Sequence, residues 1–245
     1  MTELNHLSRR LLIGASFAVF PALVFAQAKL LEQGKGLLGA AGGKLSSDDI
    51  GGGLKEALSV GAKAVVGRLG KTDGYNSDAA IRIPLPGPLQ KLEGALKAVG
   101  AGGLLSDLQT KMNRGAEQAA PKALDIFIDA ISKMSITDDQ GILSGPQDAA
   151  TQYFRRTTSD SLTSAFKPAI DGSLSGVGAV EAFTSVQAKA SALPMAGKSV
   201  ASFNLADFTV GKALDGVFHY LGKEEAAIRT NPAARTTAVL KKVFG

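Results

Sequence analysis

Apolar side chains recur every three or four positions in one segment of this chain after another, and glycine or proline separates the segments. The clearest run carries Leu124, Phe127, Ile128, Ile131 and Met134, which fall on one face at 3.6 residues per turn. Leu54, Leu58, Val65 and Leu69 repeat the pattern, with Gly70 as the break. Runs of β-branched residues are sparse. The one strand-like piece, Ile81 to Leu85, contains Pro84 and is followed by Pro86 and Pro88, which keep it out of a sheet interior. The expectation is an all-α fold, a single multi-helix domain.

Local signals place the helices. Ser46 or Ser47 ahead of Asp48 and Asp49 caps the first, and 71–88 reads as a loop. Leu89 to Val99 and Leu104 to Ala119 follow, with a glycine turn at 100–103 between them and Pro121 starting or kinking the next helix. Thr137 is read as the cap of a short turn at Asp138 and Asp139. Pro146 is read as the first residue of a helix that contains Tyr153, with Asp148 complementing its positive end. Leu162, Phe166 and Ile170 continue in helical register with a kink expected at Pro168. Ala179 to Ala190 forms another helix, 191–204 a loop, and Asp207 onward a helix stopping near Asn231-Pro232. Val239, Leu240, Val243 and Phe244 mark a final one.

The N-terminus addresses the chain. Arg9 and Arg10 precede a charge-free apolar stretch from Leu11 to Phe25, and small residues follow at Ala26 and Ala28. That is the order of a cleavable secretory signal, and the stretch is short for a membrane span of about 20 residues. Ser8-Arg9-Arg10-Leu11-Leu12-Ile13 also fits the bacterial twin-arginine pattern. Residues 1–26 are therefore expected to be removed, 27–47 to form a flexible Gly-rich lead-in, and 48–245 to fold as the helical domain. The expected location is periplasmic.

Composition excludes several chemistries. The chain has no cysteine, hence no disulfide, thiolate metal site or cysteine nucleophile. Loss of residues 1–26 removes two of 27 basic and one of 22 acidic side chains, leaving a net charge near +4. The basic residues are scattered and there is no tryptophan, so no nucleic-acid partner is expected. Peripheral contact with an acidic membrane surface stays open. Lys44 lacks the glycine that a phosphate loop needs at position 38, which is Leu38. Asp73, Tyr75 and Ser77 do not make a calcium loop. Ser164 and Lys167 match Ser-x-x-Lys without its companion motifs. His219, the one histidine beyond the signal, reads as a core or boundary residue. No cofactor, metal or catalytic residue is assigned.

What remains is a set of polar side chains on otherwise apolar helices. Asn113, Arg114 and Glu117 share a turn. Gln152, Tyr153 and Arg156 lie in the helix after Pro146. Glu224, Glu225 and Arg229 are spaced for i,i+4 pairs, and Arg235 opens the last helix. Arginines and carboxylates together hold an anion, perform acid/base work, or fix helix register. The register reading is favoured. It places Tyr153 with a buried ring and a bonded hydroxyl, and Gln152 and Arg156 near Glu117 or Glu224.

Five segments carry a resemblance: GGLKEALSVGAKAVVGRLGKTDGY, IRIPLPGPLQKLEGALKAVG, MNRGAEQAAPKALDIFIDAISKM, GILSGPQDAATQYFRRTT and ALDGVFHYLGKEEAAIRTNPAARTTAVLKKVFG. In this order they resemble an uncharacterised family of exported bacterial proteins, domain of unknown function 4197, over about residues 48–245. Extra small residues around 172–202 depart from it. The resemblance implies one mostly helical extracytoplasmic domain and supplies no catalytic residues.

Three functions are compatible with these residues. A non-enzymatic periplasmic protein that binds a protein partner or a small apolar or anionic ligand is favoured. The alternatives are a hydrolase or lyase using Glu117, Glu224 or Glu225, and a periplasmic lipid carrier enclosing an apolar cavity.

Overall fold

A computed structural model describes residues 47–191, 200 and 203–231. The expected signal and lead-in up to residue 46, most of the expected loop at 191–204, the expected final helix and Arg235 lie outside the described residues. Eight α-helices are described: α1 (Ser47–Leu69), α2 (Gly87–Ala98), α3 (Gly102–Ala119), α4 (Ala123–Ser132), α5 (Ile136–Ser144), α6 (Ala149–Gly176), α7 (Ala179–Ser191) and α8 (Leu205–Thr230). A 3-10 turn at Ala120–Lys122, containing Pro121, joins α3 to α4. No strand occurs among the described residues, and all of them belong to one compact unit that starts at Leu45.

The 28-residue α6 is the organising element. It packs against α3, α4, α5, α7 and α8, while α8 also packs on α1 and α3. Tyr153, Phe154, Leu162, Phe166, Ile170 and Leu174 make its inward face. The rings of Phe127, Phe154 and Phe218 bring α4, α6 and α8 together. Phe127 meets the other two edge to face, at 5.5 and 6.3 Å between centroids. Each such ring, fully withdrawn from water, stabilises by about 1.5–3 kcal/mol before chain entropy is set against it.

Several local expectations are corrected. Ser135, not Thr137, is the cap: its hydroxyl accepts from the Asp138 amide while Asp138 accepts from the Ser135 amide, and a nine-residue helix follows where a short turn was read. The helix after Pro146 begins at Ala149, because Pro146 to Asp148 form a turn closed by Ala149 N–H to Pro146 O, 3.0 Å. Helix α6 passes through Pro168 and the following Gly/Ser-rich run to Gly176. Gly178 then turns the chain into α7 with φ of 71°, a conformation open to glycine at little cost. In the Ile81–Leu85 piece, Ile81 ends a turn and the residues after it belong to no helix or strand. His219 is exposed on α8, edge-on to Tyr220.

Candidate functional site

The polar residues singled out above separate into two buried centres, each built on a glutamate. The first holds the loop between α1 and α2 against α3. Glu117 is 3% exposed. Its Oε1 accepts the Tyr75 and Asn76 amides, both at 3.1 Å, and its Oε2 accepts Arg114 Nη1 at 2.7 Å. Arg114 reaches on to Asp73 Oδ1 at 2.8 Å. Asp73 has φ of 67°, a conformation rare for a side-chain-bearing residue. A hydrogen bond from Asn76, then the Arg114 charge, hold its carboxyl below the usual range despite some desolvation. One turn earlier, Asn113 treats Ile83 as a neighbouring strand would. Its Oδ1 accepts Ile83 N–H at 2.8 Å and its Nδ2 donates to Ile83 O at 3.0 Å, which satisfies a buried residue that has no helix or sheet partner.

Tyr75 plugs the loop into α8. Its ring is fully buried and its hydroxyl donates to Ala213 O at 2.8 Å. Gly216 makes room, since a Cβ there would stand 2.6 Å from Tyr75 Cε1. Burial, with the Glu117 charge, pushes the phenol far above its ordinary range. At the loop's far end Asp78 accepts from the Tyr220 hydroxyl and from Arg68 Nη2, the latter at 3.0 Å. Burial raises the Asp78 carboxyl, but those bonds and the Ala80 amide outweigh it and the net shift is downward. Burial and the bond to Asp78 raise Tyr220.

The second centre caps α6 from a distance. Helix N-termini leave four amides unpaired, and the Asp148 side chain makes no cap bond. Glu225 of α8, 8% exposed, supplies the acceptors instead. Its Oε1 takes Ala150 N–H at 2.8 Å, and its Oε2 takes the Thr151 amide and hydroxyl, both at 2.9 Å. Arg229 closes the set at 2.9 Å and also donates to Ile142 O at 2.6 Å. The charge sits where the helix dipole favours it.

The expected link between the centres is absent. Gln152 donates to Asp148 at 2.9 Å, and Arg156 stands 5.7 Å from the centroid of the Tyr153 ring; neither bonds Glu117 or Glu224. Tyr153 is buried as expected, but its hydroxyl makes no hydrogen bond among the described residues. Glu224 forms no i,i+4 ion pair and packs half-buried near Gly61. Lys167 of the Ser-x-x-Lys match pairs with Asp207 at 2.7 Å.

Two features escaped the sequence reading. Asp139 is 6% exposed and its Oδ1 lacks a hydrogen-bond partner, while a Cβ on Gly51 would stand 2.6 Å from its Oδ2. Burial raises its carboxyl, partly opposed by Lys55 and reinforced by Asp138. The other is an open groove of about 600 Å³ between the end of α6, α7 and the start of α8, with Leu174, Val180, Phe183, Phe203 and Leu205 on its walls and Asp171 as its one ionisable described residue. Phe203 stacks edge to face on Phe183 and Phe208. Val180 is exposed, outside the inward face of α7.

Fold and centres together define a class: a helical domain, among the described residues, whose buried Glu117 and Glu225 are saturated by backbone amides and arginines. Within that class, the chain belongs to the family described as "Protein of unknown function (DUF4197)", which matches residues 44–245. No curated protein and no solved structure matches it.

Proposed function

We propose that this protein works without covalent chemistry, as an extracytoplasmic binding protein whose α6–α7–α8 groove takes apolar side chains of a protein partner. The observation that carries the reading is the contrast between the groove and the carboxylates. A general base needs a lone pair facing a substrate, and the oxygens of Glu117 and Glu225 already receive two or more donors each or an arginine. The groove offers aliphatic and aromatic walls without a second carboxylate beside Asp171. A negative Asp171 speaks for an apolar occupant over an anionic one, and an open groove speaks for a partner over an enclosed lipid. The location rests on Arg9-Arg10 and the apolar Leu11–Phe25 stretch.

An uncharged fluorescent probe, N-phenylnaphthylamine, tests the groove. Saturable enhancement by the native protein, abolished in Val180→Asp with the melting temperature unchanged, is expected because Val180 is exposed at the groove wall. Equal enhancement by the variant would refute the groove as the site.

A further inference from the structure

A second surface, about 20 Å from the groove along α8 by helix rise, has different chemistry. The outward line of α8 carries Asp215, His219 and Lys223 at steps of four, all exposed. On either side of that line a buried ring is roofed by a guanidinium from the neighbouring helix. Arg155 of α6 stands 4.5 Å over the centroid of Phe218, and Arg68 of α1 stands 3.9 Å over Tyr220. Lys223 Nζ lies 5.1 Å from the Tyr220 ring as well. A guanidinium stacked on a ring is held flat, with N–H edges turned to the side. Lys71, exposed, lies just past the end of α1, three residues after Arg68. The carboxylates in this stretch are engaged: Asp78 by Arg68 and Tyr220, and Asp215 by Lys212 at 3.0 Å.

We propose that this face is an interaction surface for the acidic phospholipid headgroup layer of a membrane, with Lys71, Arg155 and Lys223 as its phosphate-facing cations, Arg68 being held by Asp78 and the Tyr220 hydroxyl. The chemistry favours a membrane over a nucleic acid, because Phe218 and Tyr220 are buried beneath their guanidiniums and offer no face for a base to stack on. The cations also come from different elements, Lys223 from α8 and Arg155 from the neighbouring α6. No described helix is long and apolar enough to cross a membrane, and the contact is electrostatic and peripheral. This inference is independent of the groove and survives if the groove binds nothing.

Co-sedimentation of the full chain with vesicles tests it, comparing phosphatidylcholine alone with phosphatidylcholine and phosphatidylglycerol. The quantity read is the excess binding to the acidic vesicles. A cation near such a surface contributes about fivefold in binding, so Arg155→Glu with Lys223→Glu lowers the excess by at least roughly 25-fold. Both residues are exposed, and an unchanged melting temperature confirms folding. Lys91→Glu with Lys122→Glu, an equal charge change on exposed positions of α2 and the 3-10 turn, leaves the excess intact. Added salt abolishes native binding, which supports the proposal without any variant. Three results would overturn it: no excess for acidic vesicles, equal loss in both double variants, or saturable binding of soluble glycerol phosphate that matches vesicle binding.

Discussion

Glu117 and Glu225 solve the same problem in two settings. Each is a buried glutamate paired with an arginine on its own helix, three residues before it in one case and four after it in the other. Each accepts two consecutive backbone amides from a segment far away in sequence: Tyr75 and Asn76 for Glu117, Ala150 and Thr151 for Glu225. The difference lies in what is held. Glu225 completes a regular helix whose other first-turn amides are satisfied by the turn that precedes it. Glu117 holds an irregular loop whose own backbone hydrogen bonds are those of successive turns, not of a helix, and which contains the strained Asp73. A carboxylate under a loop is therefore less replaceable than one under a helix end, because a helix can fray by a turn whereas a buried loop loses its packing.

That difference orders the expected effects. Glu117→Ala leaves the buried Tyr75 amide, the Asn76 amide and Arg114 without their acceptor, and is expected to cost about 3–5 kcal/mol in urea unfolding. Glu225→Ala is expected to cost less, about 2–4 kcal/mol, because the loss centres on a cap and Arg229 keeps Ile142 O. A larger loss at Glu225 than at Glu117 would break the comparison.

Two tyrosines sharpen it. Tyr75→Phe removes a buried hydroxyl that donates to Ala213 O and is expected to cost about 1–2 kcal/mol. Tyr153→Phe removes a hydroxyl with no described partner and should melt within about 0.5 kcal/mol of the native protein.

Asp139 supplies the contrasting case of a buried carboxylate with no donor. Its pKa is raised in the folded state, so the stability tied to its neutral form is complete below the unfolded carboxyl value and lost as pH rises through the folded one. Asp139→Asn is accordingly expected to melt above the native protein at neutral pH, with the gap closing on acidification. A gap that widens on acidification would show Asp139 to be a stabilising charge.

Much of the fold was legible because it rests on local periodicity. The stripe of Leu124, Phe127, Ile128 and Ile131 and the face of Tyr153 and Phe154 turn to the core as their spacing requires, although Leu124 and Ile128 stay half-buried and Met134 is buried from beyond the end of α4 at Ser132. Asn113, Arg114 and Glu117 were legible as a group, since one helical turn brings them together. Their partner was not, because an irregular loop has no pattern that announces which of its amides will be buried. The same limit hid the Glu225 cap: Asp148 stands in the right place to cap α6, and only the tertiary approach of α8 reveals that a residue 75 positions past Ala150 does so. The placement of Gln152 and Arg156 against Glu117 failed for this reason. Helix faces follow from sequence, whereas the identity of the facing helix does not.

Amide hydrogen exchange tests most directly the claim that both glutamates are anchors and not reaction groups. Glu117→Gln is predicted to lose protection at Tyr75 and Asn76 while Ala150 and Thr151 stay as in the native protein, and Glu225→Gln to do the reverse. Unchanged protection at all four amides in both variants would contradict the account.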